Sequence, residues 1–190
     1  TDWRVIFIWL CSPECSMIAA MRLKIRPETA ADADQVFAVE AAAFDRPAEA
    51  ELVQKLQQSG VETISLVAVL DDEVVGHILF SPMTIKNDEE EWTAVGLGPV
   101  AVSPNHQNKG IGSELCRAGL AACLQAGYEL AFVLGHSNYY PRFGFTPSAP
   151  LGLRCEFNAP DEAFMVTELV PGALHNKRGT VYYYPLFSGV

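Results

Sequence analysis

VAVSPNHQNKGIG, residues 100–112, runs from an apolar strand through a polar turn into the start of a helix. The start of a helix leaves backbone N–H groups without partners and carries a partial positive charge, so anions bind there. Gly110 and Gly112 lack a Cβ, which lets a bulky anion approach the main chain, and Lys109 adds a positive charge. This stretch therefore predicts a phosphate-binding site at the start of a helix.

Two other phosphate-binding motifs are excluded by the order of residues. A P-loop needs a lysine directly after its second glycine, whereas Lys109 precedes Gly110. Residues 96–101, GLGPVA, match the loose dinucleotide pattern, but they lead into strand-forming residues and not into a helix. We interpret that match as accidental.

Two segments together indicate a family. QNKGIG, residues 107–112, resembles the pyrophosphate loop of the GNAT superfamily of acyl-CoA N-acyltransferases. YYPRFGF, residues 139–145, resembles the Tyr-x-x-x-Gly-Phe segment that follows the fifth strand in that superfamily, and its paired tyrosines resemble the YhbS-like subgroup of predicted acetyltransferases. The resemblance runs from about residue 21 to about residue 145 and is weaker beyond, with a predicted helix and strand between the two motifs.

The resemblance implies an α/β fold with a mixed, splayed central sheet of about six to seven strands flanked by about four helices. Residue patterns agree with this order. Strands are predicted over 23–26, 63–70, 74–85, 92–102, 130–134, 164–169 and 180–186, and helices over 29–44, 47–60 and 111–122. Asp71, Asp72 and Glu73 indicate a hairpin turn.

The length of 190 residues favours one domain, which we place over residues 21–190. Residues 1–20 are expected to be an extension outside the core fold. Their apolar run, Trp3–Leu10, is interrupted by Arg4 and is too short to cross a bilayer.

Composition narrows the class of partner. The net charge is −10, with 23 acidic against 13 basic residues, which argues against nucleic acid or an anionic membrane and favours cationic small molecules or basic peptides. Five cysteines, an odd number, predict free thiols in a reducing compartment such as the cytoplasm. Cys11 and Cys15 have no further ligands nearby, so no metal site is expected.

The resemblance also implies acetyl-CoA as co-substrate and assigns residues to it. The main chain of the strand before the glycine turn would hold the pantetheine arm, and the turn would hold the diphosphate. Arg142 would contact a phosphate of CoA or form a surface ion pair. The predicted cofactor-binding residues are Val100, Ala101, Val102, Gln107, Asn108, Lys109, Gly110, Ile111, Gly112, Ser113, Tyr139 and Arg142.

Acetyl transfer from a thioester to an amine needs an acid for the departing thiolate. Tyr140 matches the family's tyrosine four residues before Gly144, and a phenol with a pKa near 10 is protonated at neutral pH. It is our predicted catalytic residue, with Tyr139 as the alternative. Both rings could instead serve packing beside Phe143.

A general base is harder to assign, because residues 92–102 lack the carboxylate that some GNAT members carry on the fourth strand. Glu40, His77, His106 and His136 remain candidates. Each also has a structural interpretation: Glu40 as a helix surface charge, His77 as a satisfied strand residue, His106 as a turn residue and His136 as a helix cap. A basic amine could also lose its proton before it binds.

We therefore expect an N-acetyltransferase that moves an acetyl group from acetyl-CoA to a primary amine of a small molecule or peptide by direct attack in a ternary complex. The missing strand carboxylate motivates an alternative, a non-catalytic acyl-CoA sensor, and a structural protein without a cofactor is a third hypothesis. Tyr182 to Leu186 could supply a pairing edge for a homodimer.

Overall fold

The computed structural model describes residues 23–189 of the chain. These residues fold around one mixed β-sheet. Within those residues the sheet has nine strands, and three α-helices flank it. The strands are β1 (Lys24–Pro27), β2 (Ile64–Leu70), β3 (Glu73–Lys86), β4 (Glu91–Val102), β5 (Leu130–Leu134), β6 (Thr146–Pro147), β7 (Leu153–Cys155), β8 (Phe164–Glu168) and β9 (Gly179–Tyr182). The helices are α1 (Ala33–Phe44), α2 (Ala48–Gln58) and α3 (Ile111–Gln125).

The expected mixed α/β fold is confirmed, with more strands and fewer α-helices than expected. The extra strands are the very short β6 and β7, which carry too few residues for a period-2 pattern. The expected extension over residues 1–20, with Cys11 and Cys15, lies outside the described residues. Among residues 23–189, no helix combines the length and apolarity needed to cross a bilayer.

The antiparallel half of the sheet consists of the pairs β1–β2, β2–β3 and β3–β4. The predicted hairpin between β2 and β3 is confirmed. Its turn places Asp71 and Asp72 at φ angles of 49° and 68°, the left-handed region that tight two-residue hairpins require and that Asp tolerates. The GLGPVA segment lies inside β4, as expected for an accidental motif match.

The sheet opens where the pairing between β4 and β5 ends. These strands run parallel and pair over only three residues, Val95–Leu97 with Ala131–Val133. Gly98 and Pro99 follow, and proline has no N–H to donate to a neighbouring strand. Beyond Pro99, β4 remains paired with β3 alone up to Val102, so β4 and β5 diverge and leave a gap.

The helices cover opposite faces of the sheet. Leu115 and Cys116 of α3 pack with Leu66, Ala68 and Phe80 on one face. Residues of α1 and α2 pack with Val67 and Leu79, the alternate strand positions, on the other face. The gap between β4 and β5 therefore connects the α3 face with the face that α1 and α2 cover.

The last strand is shorter than the sequence predicted. A strand was expected over residues 180–186, but β9 ends at Tyr182 and Pro185 begins a short 3-10 segment. β9 pairs with β3 on one side and with β7 on the other. Tyr182 is paired with β3 and the strand ends there, so the segment from Tyr182 to Leu186 does not form the free pairing edge that the sequence suggested for a homodimer.

Leu115 tests the packing of α3 on the sheet. The side chain is fully buried, so replacing it with alanine removes apolar contacts and leaves a cavity. We expect Leu115→Ala to lower the free energy of unfolding by about 2–5 kcal/mol in urea denaturation. Leu124→Ala is the matched control, because Leu124 lies on the same helix but is 45% exposed, and a comparable loss there would contradict the assignment.

Candidate active site

A cavity of about 1060 Å³ occupies the gap between β4 and β5 and reaches both faces of the sheet. All but two of the predicted site residues line it. Those that do are Val100, Val102, Gln107, Asn108, Gly110, Ile111, Gly112, Ser113, Tyr139, Tyr140 and Arg142. The structure thus brings together two motifs that stand about 30 residues apart in the sequence.

The two exceptions are Ala101 and Lys109. Ala101 is 2% exposed and packs into the core beneath α1 and α2, so its side chain faces away from the cavity. The Lys109 ammonium donates a hydrogen bond to the carbonyl of Asn105 at 2.9 Å and does not line the cavity. Neither side chain contributes to the cavity wall.

The turn before α3 presents its main chain to the cavity. Asn108 and Gly110 adopt left-handed φ angles of 60° and 86°. The amides of Ser113 and Glu114 donate to the Gly110 carbonyl at 3.0 and 3.1 Å. The five preceding amides, residues 108–112, donate no hydrogen bond to any residue in the range 23–189, so they form a cluster of available donors at a positive helix end.

Gln107 and Gly112 shape the wall next to this turn. The Gln107 side-chain amide donates to the Val102 carbonyl at 3.1 Å, which ties the turn to the last residue of β4. A Cβ added at Gly112 would lie 3.1 Å from the Tyr139 hydroxyl and 3.6 Å from Val102. The absence of that Cβ keeps the corner between β4, α3 and Tyr139 accessible.

Tyr140 contributes a neutral hydroxyl to the cavity. The residue is 7% exposed, and its ring stacks edge-on against Phe145 at 5.8 Å between centroids and covers Gly135. Burial raises the pKa of Tyr140 well above that of a free phenol. Its hydroxyl donates no hydrogen bond to another described residue, so its proton is available to a bound molecule.

Tyr139 and Arg142 form a second unit at the cavity wall. The Arg142 guanidinium lies over the Tyr139 ring, 4.6 Å from its centroid, and its Nε donates to the Tyr139 carbonyl at 2.9 Å. Within residues 23–189 Arg142 has no carboxylate partner, which disfavours a surface ion pair. Its positive charge is available to an anion in the cavity.

Two candidate bases are buried away from the cavity. Glu40 was expected on the helix surface, but it is fully buried, because His77 from β3 lies opposite it. The His77 Nδ1 is 2.5 Å from Glu40 Oε1, and its Nε2 is 2.8 Å from Ser65 Oγ and 3.4 Å from Glu28 Oε2. This cluster holds α1 against the sheet, and neither Glu40 nor His77 lines the cavity.

The other two candidate bases, His106 and His136, do line the cavity. The Nδ1 atom of His106 is enclosed and has no hydrogen-bond partner among the described residues. The His136 carbonyl accepts the Tyr139 amide at 3.0 Å and so begins the turn that carries both tyrosines, but the N-cap of the following 3-10 segment is Tyr139 and not His136.

The far end of the cavity holds residues that sequence reasoning missed. Arg46 and Glu49 form an ion pair there, with Arg46 Nε at 3.0 and 3.1 Å from the two carboxylate oxygens. Phe44, Phe157, Tyr183 and Phe187 line the same cavity. From the sequence alone, Glu49 is recognisable only as an acidic residue in the first turn of a helix, and this is why its place in the cavity was missed.

The buried cluster gives a pH prediction. Burial alone would lower the pKa of His77, but Glu28 and Glu40 together raise it above the usual value, and burial raises the pKa of Glu40. A raised folded-state pKa contributes stability below the unfolded-state pKa, which for histidine is about 6.5, and that stability is lost as pH rises through the folded-state pKa.

We therefore expect the stability difference between the unchanged protein and His77→Gln to shrink from pH 6 to pH 9. Urea unfolding at each pH measures it. A difference that stays constant or grows over this range would show that His77 is not held in its protonated form.

Comparison with known proteins gives relatives over most of the chain. Residues 24–148 match the family model described as an acetyltransferase (GNAT) domain. An Escherichia coli K12 protein named "Uncharacterized N-acetyltransferase YhbS" is 34% identical over 165 residues, which are 86% of this chain and 98% of that protein. Another K12 protein, "Uncharacterized N-acetyltransferase YjhQ", is 38% identical over 134 residues, 69% and 74% of the two chains.

Two solved structures have the same fold. The E. coli GNAT family N-acetyltransferase YhbS, crystallised in complex with CoA, aligns with a TM-score of 0.83 at 34% identity and covers 88% of this chain and 92% of that one. A GNAT family acetyltransferase from Brucella melitensis, crystallised with acetyl-CoA, aligns with a TM-score of 0.71 at 36% identity and covers 87% and 98%.

Proposed function

This chain belongs to the GNAT family of acetyltransferases, and we propose that it transfers an acetyl group from acetyl-CoA to a primary amine by direct attack in a ternary complex. One observation carries the proposal: a single cavity joins the free amides before α3, the divergent edge of β4 and the Tyr140 hydroxyl. The solved complexes of related GNAT proteins with CoA and acetyl-CoA support this choice of co-substrate.

The turn before α3 would bind the diphosphate. Five amides with no partner among residues 23–189 favour an anion with several oxygens, and Arg142 adds a positive charge at the same wall. Backbone groups of Val100 and Val102 on the gap side of β4 would bond the pantetheine arm as an added strand does. Together they direct the thioester towards the last β4–β5 pair, at Leu97 and Val133.

Acetyl-CoA supplies an activated thioester carbonyl, and the chain supplies its orientation and a proton. Tyr140 would donate its proton to the sulfur as the carbon–sulfur bond breaks. Its raised pKa keeps the hydroxyl protonated throughout the neutral range, so the acid form is always present.

Direct attack is favoured because the cavity wall has no cysteine among the described residues. Cys116 is fully buried behind Tyr139, and burial raises its pKa to about 12, so it is a poor nucleophile. The three described cysteines, Cys116, Cys123 and Cys155, are free thiols, and this supports our proposal of a reducing compartment such as the cytoplasm.

Tyr140→Phe separates catalysis from binding. Loss of the proton donor should lower kcat about 10²–10⁴-fold in a CoA-release assay. The affinity for acetyl-CoA, measured by calorimetry, should stay unchanged, because the ring and its packing remain. Tyr182→Phe is the control, since Tyr182 is 42% exposed and outside the cavity wall, and it should match the unchanged protein. Unaltered turnover in Tyr140→Phe would remove the catalytic assignment.

Gly112→Ala tests the diphosphate site. The added methyl group would narrow the corner beside Tyr139 and Val102, while alanine suits the first turn of a helix. We expect at least about tenfold weaker binding of acetyl-CoA with unchanged folding, in line with the loss of charge-assisted hydrogen bonds. S-acetylpantetheine, which lacks the diphosphate, should react equally with both proteins. Equal losses with both donors would place the diphosphate elsewhere.

A further inference from the structure

On the face of the sheet that α1 and α2 cover, the side chains that line the cavity are mostly aromatic or aliphatic. The cavity is lined there by Leu52 of α2 and Phe44 at the end of α1, and also by Phe157, Tyr183 and Phe187 from the late part of the chain. The Tyr183 ring is held by Phe157 at 5.3 Å and by Phe187 at 5.2 Å between centroids. We call this group of five mainly apolar residues the aromatic wall, and its one polar side-chain atom, the enclosed Tyr183 hydroxyl, has no hydrogen-bond partner among the described residues.

One carboxylate interrupts the aromatic wall. Glu49 is the only acidic side chain of the described residues that lines the cavity, and the residue is only 8% exposed. Arg46 bonds it from the solvent side, with 60% of the Arg46 side chain exposed. A carboxylate has about four acceptor positions, and Arg46 contacts Oε1 twice and Oε2 once, so a position on Oε2 is left for another donor.

We propose that this end binds a primary amine carried on an apolar body with no second charge, with Glu49 accepting hydrogen bonds from the ammonium and the aromatic wall covering the body. The inference rests on the proposed acetyl transfer and names the acceptor class for the same cavity. Glu49 is thus a specificity-determining residue.

The charge balance of the wall selects against polycations. Arg46 pairs with Glu49, so the site offers one acceptor group whose charge already has a partner. A second ammonium group would lie against aromatic and aliphatic side chains without a carboxylate, and its loss of hydration would weaken binding. An apolar body gains instead from burial, at about fourfold in affinity for each methylene.

The reaction balances with these groups. The bound ammonium loses one proton to water, and its lone pair attacks the thioester carbon. The carbon–nitrogen bond forms, the carbon–sulfur bond breaks, and the sulfur takes the Tyr140 proton, which water replaces. The nitrogen loses a second proton to water, and the products are the acetamide and free CoA.

A homologous series of amines tests the apolar body. We would measure kcat/KM for propyl-, butyl-, pentyl- and hexylamine, phenethylamine, ethanolamine and spermidine, with CoA release as the readout. The value should rise about two- to fourfold with each methylene. Phenethylamine should exceed ethanolamine and spermidine by at least about tenfold. A flat series, or a preference for spermidine, would overturn the proposal.

Variants test the two parts of the site separately. Glu49→Gln should raise KM for phenethylamine about tenfold to hundredfold and leave KM for acetyl-CoA unchanged. Its control is Glu51→Gln, an exposed residue of the same helix, which should have no effect. Phe44→Ala, at a residue already 37% exposed, should reduce the slope of the alkylamine series. If Glu49→Gln does not fold, the Phe44 variant still decides.

The outcomes distinguish this inference from the proposed function. If acetyl-CoA binds in calorimetry but no amine in the panel is acetylated, the acceptor class is wrong while the coenzyme site stands. If acetyl-CoA itself does not bind, the proposed acetyl transfer fails. If Glu49→Gln changes only KM for acetyl-CoA, Glu49 belongs to the coenzyme end and the proposal is overturned.

Discussion

The separation of β4 from β5 is the constraint on which the rest of the site depends. Three residue pairs hold these parallel strands together, and their pairing ends before Gly98 and Pro99, where β4 also shifts its register against β3. β3 still supports β4 on its other edge as far as Val102. The sheet therefore stays intact while one strand edge, the start of α3 and the turn that carries Tyr140 all open onto the same space.

The parts that sequence could predict are those that depend on neighbours along the chain. The glycine turn before α3, the hairpin at Asp71 and Asp72 and the paired tyrosines each have a local signature, and the structure has the turn, the hairpin and both tyrosines where that signature indicates. Glu40 shows the opposite case. Its helix is rich in alanine and has little amphipathic pattern, and its partner His77 is 37 residues away, so burial of the carboxylate depends on tertiary packing.

The same difference between local signatures and tertiary packing explains why the sequence predicted the residues at one end of the cavity and not those at the other. Residues 97–113 and 134–142 belong to one strand–helix–strand crossover, and its connection fixes where they meet. The far end combines Phe44 to Leu52 with Phe157, Tyr183 and Phe187, which come from separate parts of the chain. β9 brings the late residues there by pairing with β3, a contact between strands about 95 residues apart that no local pattern announces.

The turn before α3 and the aromatic wall also differ in how far their amino-acid sequences can change without a change in what they bind. Amides at the start of a helix bind through the main chain, so most side chains of that turn can drift without altering recognition, provided the glycines remain. The aromatic wall binds through side chains, and each exchange there alters shape and polarity directly. A lineage with this architecture can therefore acquire a new acceptor by changing a handful of residues around Glu49 while its handling of the donor is inherited unchanged.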